Sequence, residues 1–266
     1  NTVSRFDTMT ERKDGSMPNA KDVNVNSEWL KAMSVGESGT GKSIFASSFP
    51  TPGFIFDFGK EILSYRGLNF DYEQYDISAT GWSKFERDFV AVKKAVDEKK
   101  YQTVILDNLS AMTDLCMEKA LQLDSKRSPT GGPIWNVHFG MVKNLMEGRL
   151  RQMLNLNCNL VFIAHLDPIK DEEGAVIGVE PSMTGSLSVD VPSYFDEVYY
   201  HSVRKEGGIT KWVVQTIPIG RNHGRSRASG KARLLPDTVE NDYNEIMAYL
   251  TGAKKKQPQS ATQPTK

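Results

Sequence analysis

The sequence predicts one α/β domain, a mainly parallel sheet flanked by helices and finished by an antiparallel edge. Three observations predict it. Short β-rich apolar runs alternate with longer amphipathic segments, and a glycine-rich stretch joins the first run to a helix. Beyond His165 the alternation gives way to turn residues and then to two facing runs.

The elements follow in order. WLKAMSV (29–35) reads as the first strand and SIFASSF (43–49) as the start of a helix. TPGFIFDF (51–58), TVILD (103–107) and CNLVFIAH (158–165) are buried strands, each a short apolar run between polar or turn residues. Residues 83–98 and 134–155 carry helical periodicity. In the second, Trp135, Phe139, Val142, Met146, Leu150 and Met153 recur every three or four residues, one apolar face expected to lie in the core. LSAMTDLCMEKALQL (109–123) reads as a helix that Asp107 or Ser110 could cap. DEVYYHSV (196–203) and TKWVVQTI (210–217) pair across a turn near 205–209, and VENDYNEIMAYL (239–250) closes the domain as a helix. The domain is therefore expected over 28–251, behind a polar arm at 1–27 and ahead of a disordered basic tail at 252–266.

Composition narrows the function classes. With 39% hydrophobic and 25% charged residues, the chain has the balance of an ordinary globular protein. Basic and acidic residues number 33 each, so affinity for nucleic acid would need a local patch or an oligomer that lines up basic loops. Cys116 and Cys158 are too far apart in sequence for a disulfide framework or a zinc motif, and read as buried apolar residues in a reducing compartment. No stretch reaches the roughly 18 apolar residues of a membrane span, and the polar start lacks the core of a signal peptide. The expectation is an intracellular protein without a membrane partner.

The chemistry is expected at VGESGTGKS (35–43). Gly36, Glu37, Ser38, Gly39, Thr40, Gly41, Lys42 and Ser43 fit a glycine-rich loop whose amides turn inward around phosphate oxygens. Lys42 would reach the β and γ phosphates and the Ser43 hydroxyl would sit on Mg²⁺. The helix after the loop would turn its N-terminus to the anion. Asp107, at the end of TVILD, supplies a second acidic group to hold the metal through water, and Asn108 after it means that no glutamate stands there to activate water.

With GESGTGKS, PGFIFDFGKEILSYRG, VILDNLS, VFIAH and a late basic segment in one chain, residues 29–250 resemble the RecA-like P-loop ATPases, and among them phage-encoded recombinases that assist single-strand annealing. The resemblance implies ATP and Mg²⁺ bound between subunits of a ring or filament, with single-stranded DNA as partner in recombination or replication. It also implies phage recombination or replication proteins as further partners, and a host-cytoplasmic location. It implies a water-polarising glutamate just past FIFDF, where Gly59 and Lys60 stand instead. Glu61 is the first candidate, Asp57 the second and Glu37 the third. His165 takes the place of a polar γ-phosphate sensor. In IGRNHGRSRASGKARLLP, Arg225 and Arg227 are candidates to reach a neighbour's nucleotide, while Arg221 and Lys231 could bind phosphodiester. Two Gly-, Ser- and Pro-rich loops, 125–133 and 168–193, would face DNA. A helicase or packaging motor of the same fold, a P-loop small-molecule kinase and a nucleotide-gated interaction module are the competing readings.

Overall fold

The computed structural model describes residues 29–227 and 233–255. The expected arm at 1–27, most of the tail at 252–266, and Lys231 lie outside the described residues.

The apolar runs become strands because both of their faces are covered. β1 (Lys31–Val35) leads through the glycine loop into α1 (Lys42–Ser47), then come β2 (Gly53–Asp57), β3 (Phe70–Gln74), α2 (Ala79–Asp97), β4 (Thr103–Asp107), α3 (Leu109–Leu123), α4 (Trp135–Leu154) and β5 (Asn159–Ala164). Along β4, Val104 and Leu106 point into one layer and Ile105 into the other, as the twofold period of a strand requires. The first layer packs against α2, α3 and α4 through Phe85, Leu115 and Met146. The second meets α1 through Phe45 and the last helix through Ile246.

The chain continues through β6 (Leu166–Lys170), β7 (Val176–Pro181), α5 (Leu187–Ser193), β8 (Glu197–Glu206) and β9 (Ile209–Gln215). Short strands β10 (Pro218–Ile219), β11 (Asn222–His223), β12 (Arg225–Ser226) and β13 (Thr238–Glu240) follow, and α6 (Tyr243–Leu250) ends it. The sheet order is β13-β9-β8-β1-β5-β4-β2-β3, with β12 also on β8. From β8 to β3 all pairings are parallel, whereas β9, β13 and β12 run antiparallel at one edge. The expected fold class is the observed one.

Several local expectations are corrected. α4 buries Val142, Met146, Leu150 and Met153, but Trp135 is 68% exposed and stacks on Phe139 with ring centroids 4.3 Å apart. A periodic stripe reports which side of a helix turns inward, not how far along its length another element covers it. The helix expected at 83–98 begins at Ala79, because the Ser78 side chain accepts from the Gly81 amide and caps it earlier. Asn108, rather than Asp107 or Ser110, caps α3. VENDYNEIMAYL splits: Val239 and Glu240 join the sheet, and Asp242 caps α6 through the amides of Asn244 and Glu245. The stretch 168–193 is not one open loop. The Asp171 carboxylate accepts from the amides of Glu173 and Ala175 and closes the β6–β7 hairpin, after which α5 buries Leu187 and Val191. Its turn residues fall in two places, the tight turn at 171–174 and the bend at 182–186 that leads into α5.

Candidate functional site

Parallel strands point their C-terminal ends the same way, so the loops after β1, β2, β4 and β5 converge on one edge of the sheet. β1 is buried at all five positions and delivers the chain to Gly36. A Cβ at Gly36 would lie 2.5 Å from Thr40 Oγ1, and Gly41 holds a φ of 92° that side chains resist. These two glycines let the loop close on itself. Thr40 Oγ1 donates to the Glu37 carbonyl at 2.7 Å, while Glu37, Ser38 and Gly39 are exposed.

Lys42 curls back across this loop. Its Nζ donates to the carbonyls of Gly36 at 2.9 Å and Glu37 at 2.8 Å. Burial pulls its ammonium pKa down, opposed by the charges of Glu61, Asp107 and Glu37. A buried cation with acidic groups around it is suited to an anion that brings several oxygens at once.

Opposite stands Asp107, fully buried at the end of β4. Its Oδ2 accepts from the Tyr65 hydroxyl at 2.7 Å and lies 3.4 Å from the Ser43 hydroxyl. Its Oδ1 has no partner. Burial pushes the carboxyl up to about 6, with the Tyr65 hydrogen bond opposing that rise. An orphaned buried carboxylate oxygen beside a serine hydroxyl fits a hard divalent cation such as Mg²⁺, which takes one or two protein oxygens and completes its shell with phosphate and water. No group of three or more His, Cys, Asp or Glu among the described residues could hold a metal.

The strand order places β5 between β1 and β4, and His165, just past β5, therefore faces the gap between Lys42 and Asp107. The Asn108 side-chain oxygen accepts from the Ala111 amide, which turns its NH₂ toward His165 Nε2 at 3.1 Å. The same nitrogen is 3.6 Å from Glu61 Oε1. His165 holds the Glu61 carboxyl below its usual range, with burial opposing and Lys42 assisting. Asp57 is differently employed. Its two oxygens accept from the Glu61 amide at 2.9 Å and the Gln74 side chain at 2.7 Å, so it braces the turn that carries Glu61.

The candidate basic pair lies elsewhere. Arg225 pairs with Val198, which is itself level with Met33, so both arginines sit below the loop of their own chain. Arg225 Nη2 donates to the carbonyls of Pro192 and Phe195, and Arg227 lies 3.5 Å from Asp196 with its side chain half exposed. Arg221 is exposed near the β10–β11 turn.

Sequence reasoning missed a second ring of residues around the loop. Asn241 donates its side-chain NH₂ to the Gly41 carbonyl at 2.8 Å, so its oxygen must accept from His201 Nδ1, also at 2.8 Å. His201 Nε2 then accepts from the Ser34 hydroxyl at 2.5 Å. Burial lowers the His201 pKa to about 3, which keeps the ring neutral and the chain of bonds in this one direction. Trp212 Nε1 donates to the Gly39 carbonyl at 3.2 Å. Ser34, His201, Trp212 and Asn241 belong to no spacing pattern, because sheet pairing and chain return bring them to the loop.

A model of the AAA-domain family matches residues 29–228, the stretch that holds the glycine loop, Asp57, Glu61, Asp107, His165, His201 and Trp212, with Asn241 beyond it. The chain belongs to that family. Among solved structures, this AAA-domain chain is similar to a KaiC-like protein from the hyperthermophilic archaeon Pyrococcus horikoshii, at 11% identity and a TM-score of 0.42 over 70% of this chain and 77% of the other. It is also similar to the flagellar accessory protein FlaH from Methanocaldococcus jannaschii, at 10% identity and a TM-score of 0.39 over 83% and 89%. No curated protein matches it significantly. No helix among the described residues is long and apolar enough to cross a membrane.

Proposed function

We propose that this AAA-domain chain binds ATP with Mg²⁺ and hydrolyses it slowly, as one subunit of a ring or filament that engages single-stranded DNA. The observation that carries the nucleotide part is the unpartnered Oδ1 of Asp107, whose Oδ2 lies 3.4 Å from the Ser43 hydroxyl, in one site with the buried Lys42. When bound, Mg²⁺ would be held by Ser43 and Asp107 and would neutralise phosphate charge. Lys42 exchanges two loop carbonyls for phosphate oxygens, and the loop amides orient the chain of phosphates. Glu61 accepts the proton of the attacking water, with Asp57 bracing its turn and His165 beside its carboxylate. His165, between Glu61 and Asn108, also meets the reacting end of the nucleotide.

Arg227 is the better inter-subunit candidate, since its guanidinium is half exposed whereas Arg225 is tied to two carbonyls. That placement disfavours the kinase reading, in which the arginines would close over the loop of their own chain. For DNA, the exposed Trp135, packed on Phe139, adjoins loop 125–133, which contributes Lys126 and Arg127. The phage recombination or replication role rests on the sequence resemblance.

The test mixes Lys42→Ala subunits with Arg227→Ala subunits, each inactive alone, and measures ATP hydrolysis with and without single-stranded DNA across a salt series. Partial recovery in the mixture and salt-sensitive DNA binding are expected. No recovery at any ratio counts against the shared site. DNA binding absent in ATP, ADP and nucleotide-free states removes the DNA role.

A further inference from the structure

The β8–β9 hairpin runs past the body of the sheet and passes over the phosphate loop. In its register, His201 faces Val214 and Val203 faces Trp212, so all four side chains share one face of the hairpin. The inner pair is buried. The outer pair, Val203 at 43% and Trp212 at 40%, is exposed at the rim of the loop. Trp212 is nevertheless fixed, because its Nε1 donates to Gly39 and its Cδ1 lies 2.8 Å from the place a Cβ would take on Gly41. Holding a large aromatic at a half-exposed position sacrifices rotamer freedom and leaves apolar area in water. A ligand that covers it would recover that loss.

Strand order says which ligand. Lys42 and the loop follow β1, and on one side of β1 lie β5, β4 and β2, with His165 and Asp107 at the ends of the first two and Glu61 in the turn past the third. Those polar groups claim the metal and the reacting phosphate. On the other side of β1 lies β8, and with it the apolar pair Val203 and Trp212. A phosphate chain that runs toward β5 therefore carries its nucleoside toward the hairpin.

We propose that Trp212 is a stacking platform for the aromatic base of a nucleoside triphosphate, and that it makes the site prefer nucleotide over bare polyphosphate. The proposal rests on the reading of the loop as a nucleotide site. Val203 extends the platform beneath the base, and the Ser34–His201–Asn241 chain of hydrogen bonds keeps Gly41 in the conformation that seats the indole.

The experiment titrates wild-type protein, Trp212→Ala and Trp212→Phe with Mg·ATP and with Mg·tripolyphosphate, after thermal melts establish that all three fold. Trp212→Ala should lose about tenfold in ATP affinity, as removal of one base-stacking aromatic does. Its tripolyphosphate affinity should fall far less than its ATP affinity, and Trp212→Phe should recover most of the loss for ATP. Equal weakening of both ligands would make Trp212 a prop of the loop and overturn the platform. Unchanged ATP affinity would overturn it too. If wild-type protein binds tripolyphosphate as tightly as ATP, this proposal fails while the phosphate loop stands. Binding of neither would sink the nucleotide reading and the platform together.

Discussion

The two sides of β1 are built by different means. On the β5 side the candidate groups stand at or just past the ends of parallel strands, and each strand reads directly from its apolar run: Asp107 after TVIL, His165 after VFIA, and Asp57 after FIF with Glu61 in the turn beyond it. On the β8 side the residues that touch the loop come from an antiparallel hairpin and from a segment 200 positions away from Gly41 in the chain. The parallel side supplies charge and the antiparallel side supplies shape. The comparison teaches that chemistry can be local in sequence while the walls of the same site are not.

The largest expected effect is on the charged side. Glu61→Gln keeps the size of the side chain and removes its basicity, so hydrolysis should fall by about 10² to 10⁴ with ATP affinity nearly unchanged. Single-turnover assays paired with equilibrium binding check this. If Asp57→Asn lowered the chemical step as far while leaving melting unchanged, the division of labour between the two carboxylates would be wrong.

A smaller effect is expected from the other wall. Asn241→Ala leaves the Gly41 carbonyl and His201 Nδ1–H without their partner in a buried place. The loss should be about 1 to 3 kcal/mol in stability, measured by denaturant unfolding. Tripolyphosphate binding should weaken with it, which separates Asn241 from Trp212. Stability within error of wild type would mean that the hydrogen-bond chain does not hold the loop.

The smallest effect concerns pH. The Asp107 carboxyl rises from 3.8 to about 6 in the folded protein, so the folded state binds more protons than the unfolded state between those values. Stability of the metal-free protein therefore declines as pH rises through that window, and the cost persists above it. Asp107→Asn should melt higher than wild type at pH 7 without Mg²⁺, and the advantage should vanish near pH 4. Thermal melts across pH check the sign. Nucleotide binding with Mg²⁺ should weaken below pH 6 in wild type, as protonation removes the cation's oxygen.

How much of this was legible follows from burial. The strands of the parallel sheet are covered on both faces, so their sequences are continuous apolar runs and could be found. β3, FDYEQ, lies at the sheet edge with polar and half-exposed positions, and left no such signal. Lys31 sits inside a buried strand because its ammonium donates to the carbonyls of Leu154 and Leu156 at the end of α4, a tertiary arrangement no local pattern announces. The loop and Asp107 stood out as candidates because phosphate and Mg²⁺ chemistry would call for those residue types at that spacing. Tyr65 was not, since a tyrosine in ILSY reads as core until its hydroxyl is seen 2.7 Å from Asp107. Trp212 and Asn241 lay hidden for the same reason.

Calorimetric titration of ATP, with and without Mg²⁺, into wild-type protein, Lys42→Ala and Asp107→Ala tests the central claim most directly. Wild type should bind Mg·ATP tightly and metal-free ATP more weakly, and Lys42→Ala should lose at least about 100-fold, the worth of two charge-assisted hydrogen bonds. Asp107→Ala should erase the difference that Mg²⁺ makes. Lys42→Ala binding as well as wild type, or a full Mg²⁺ effect in Asp107→Ala, would contradict the account.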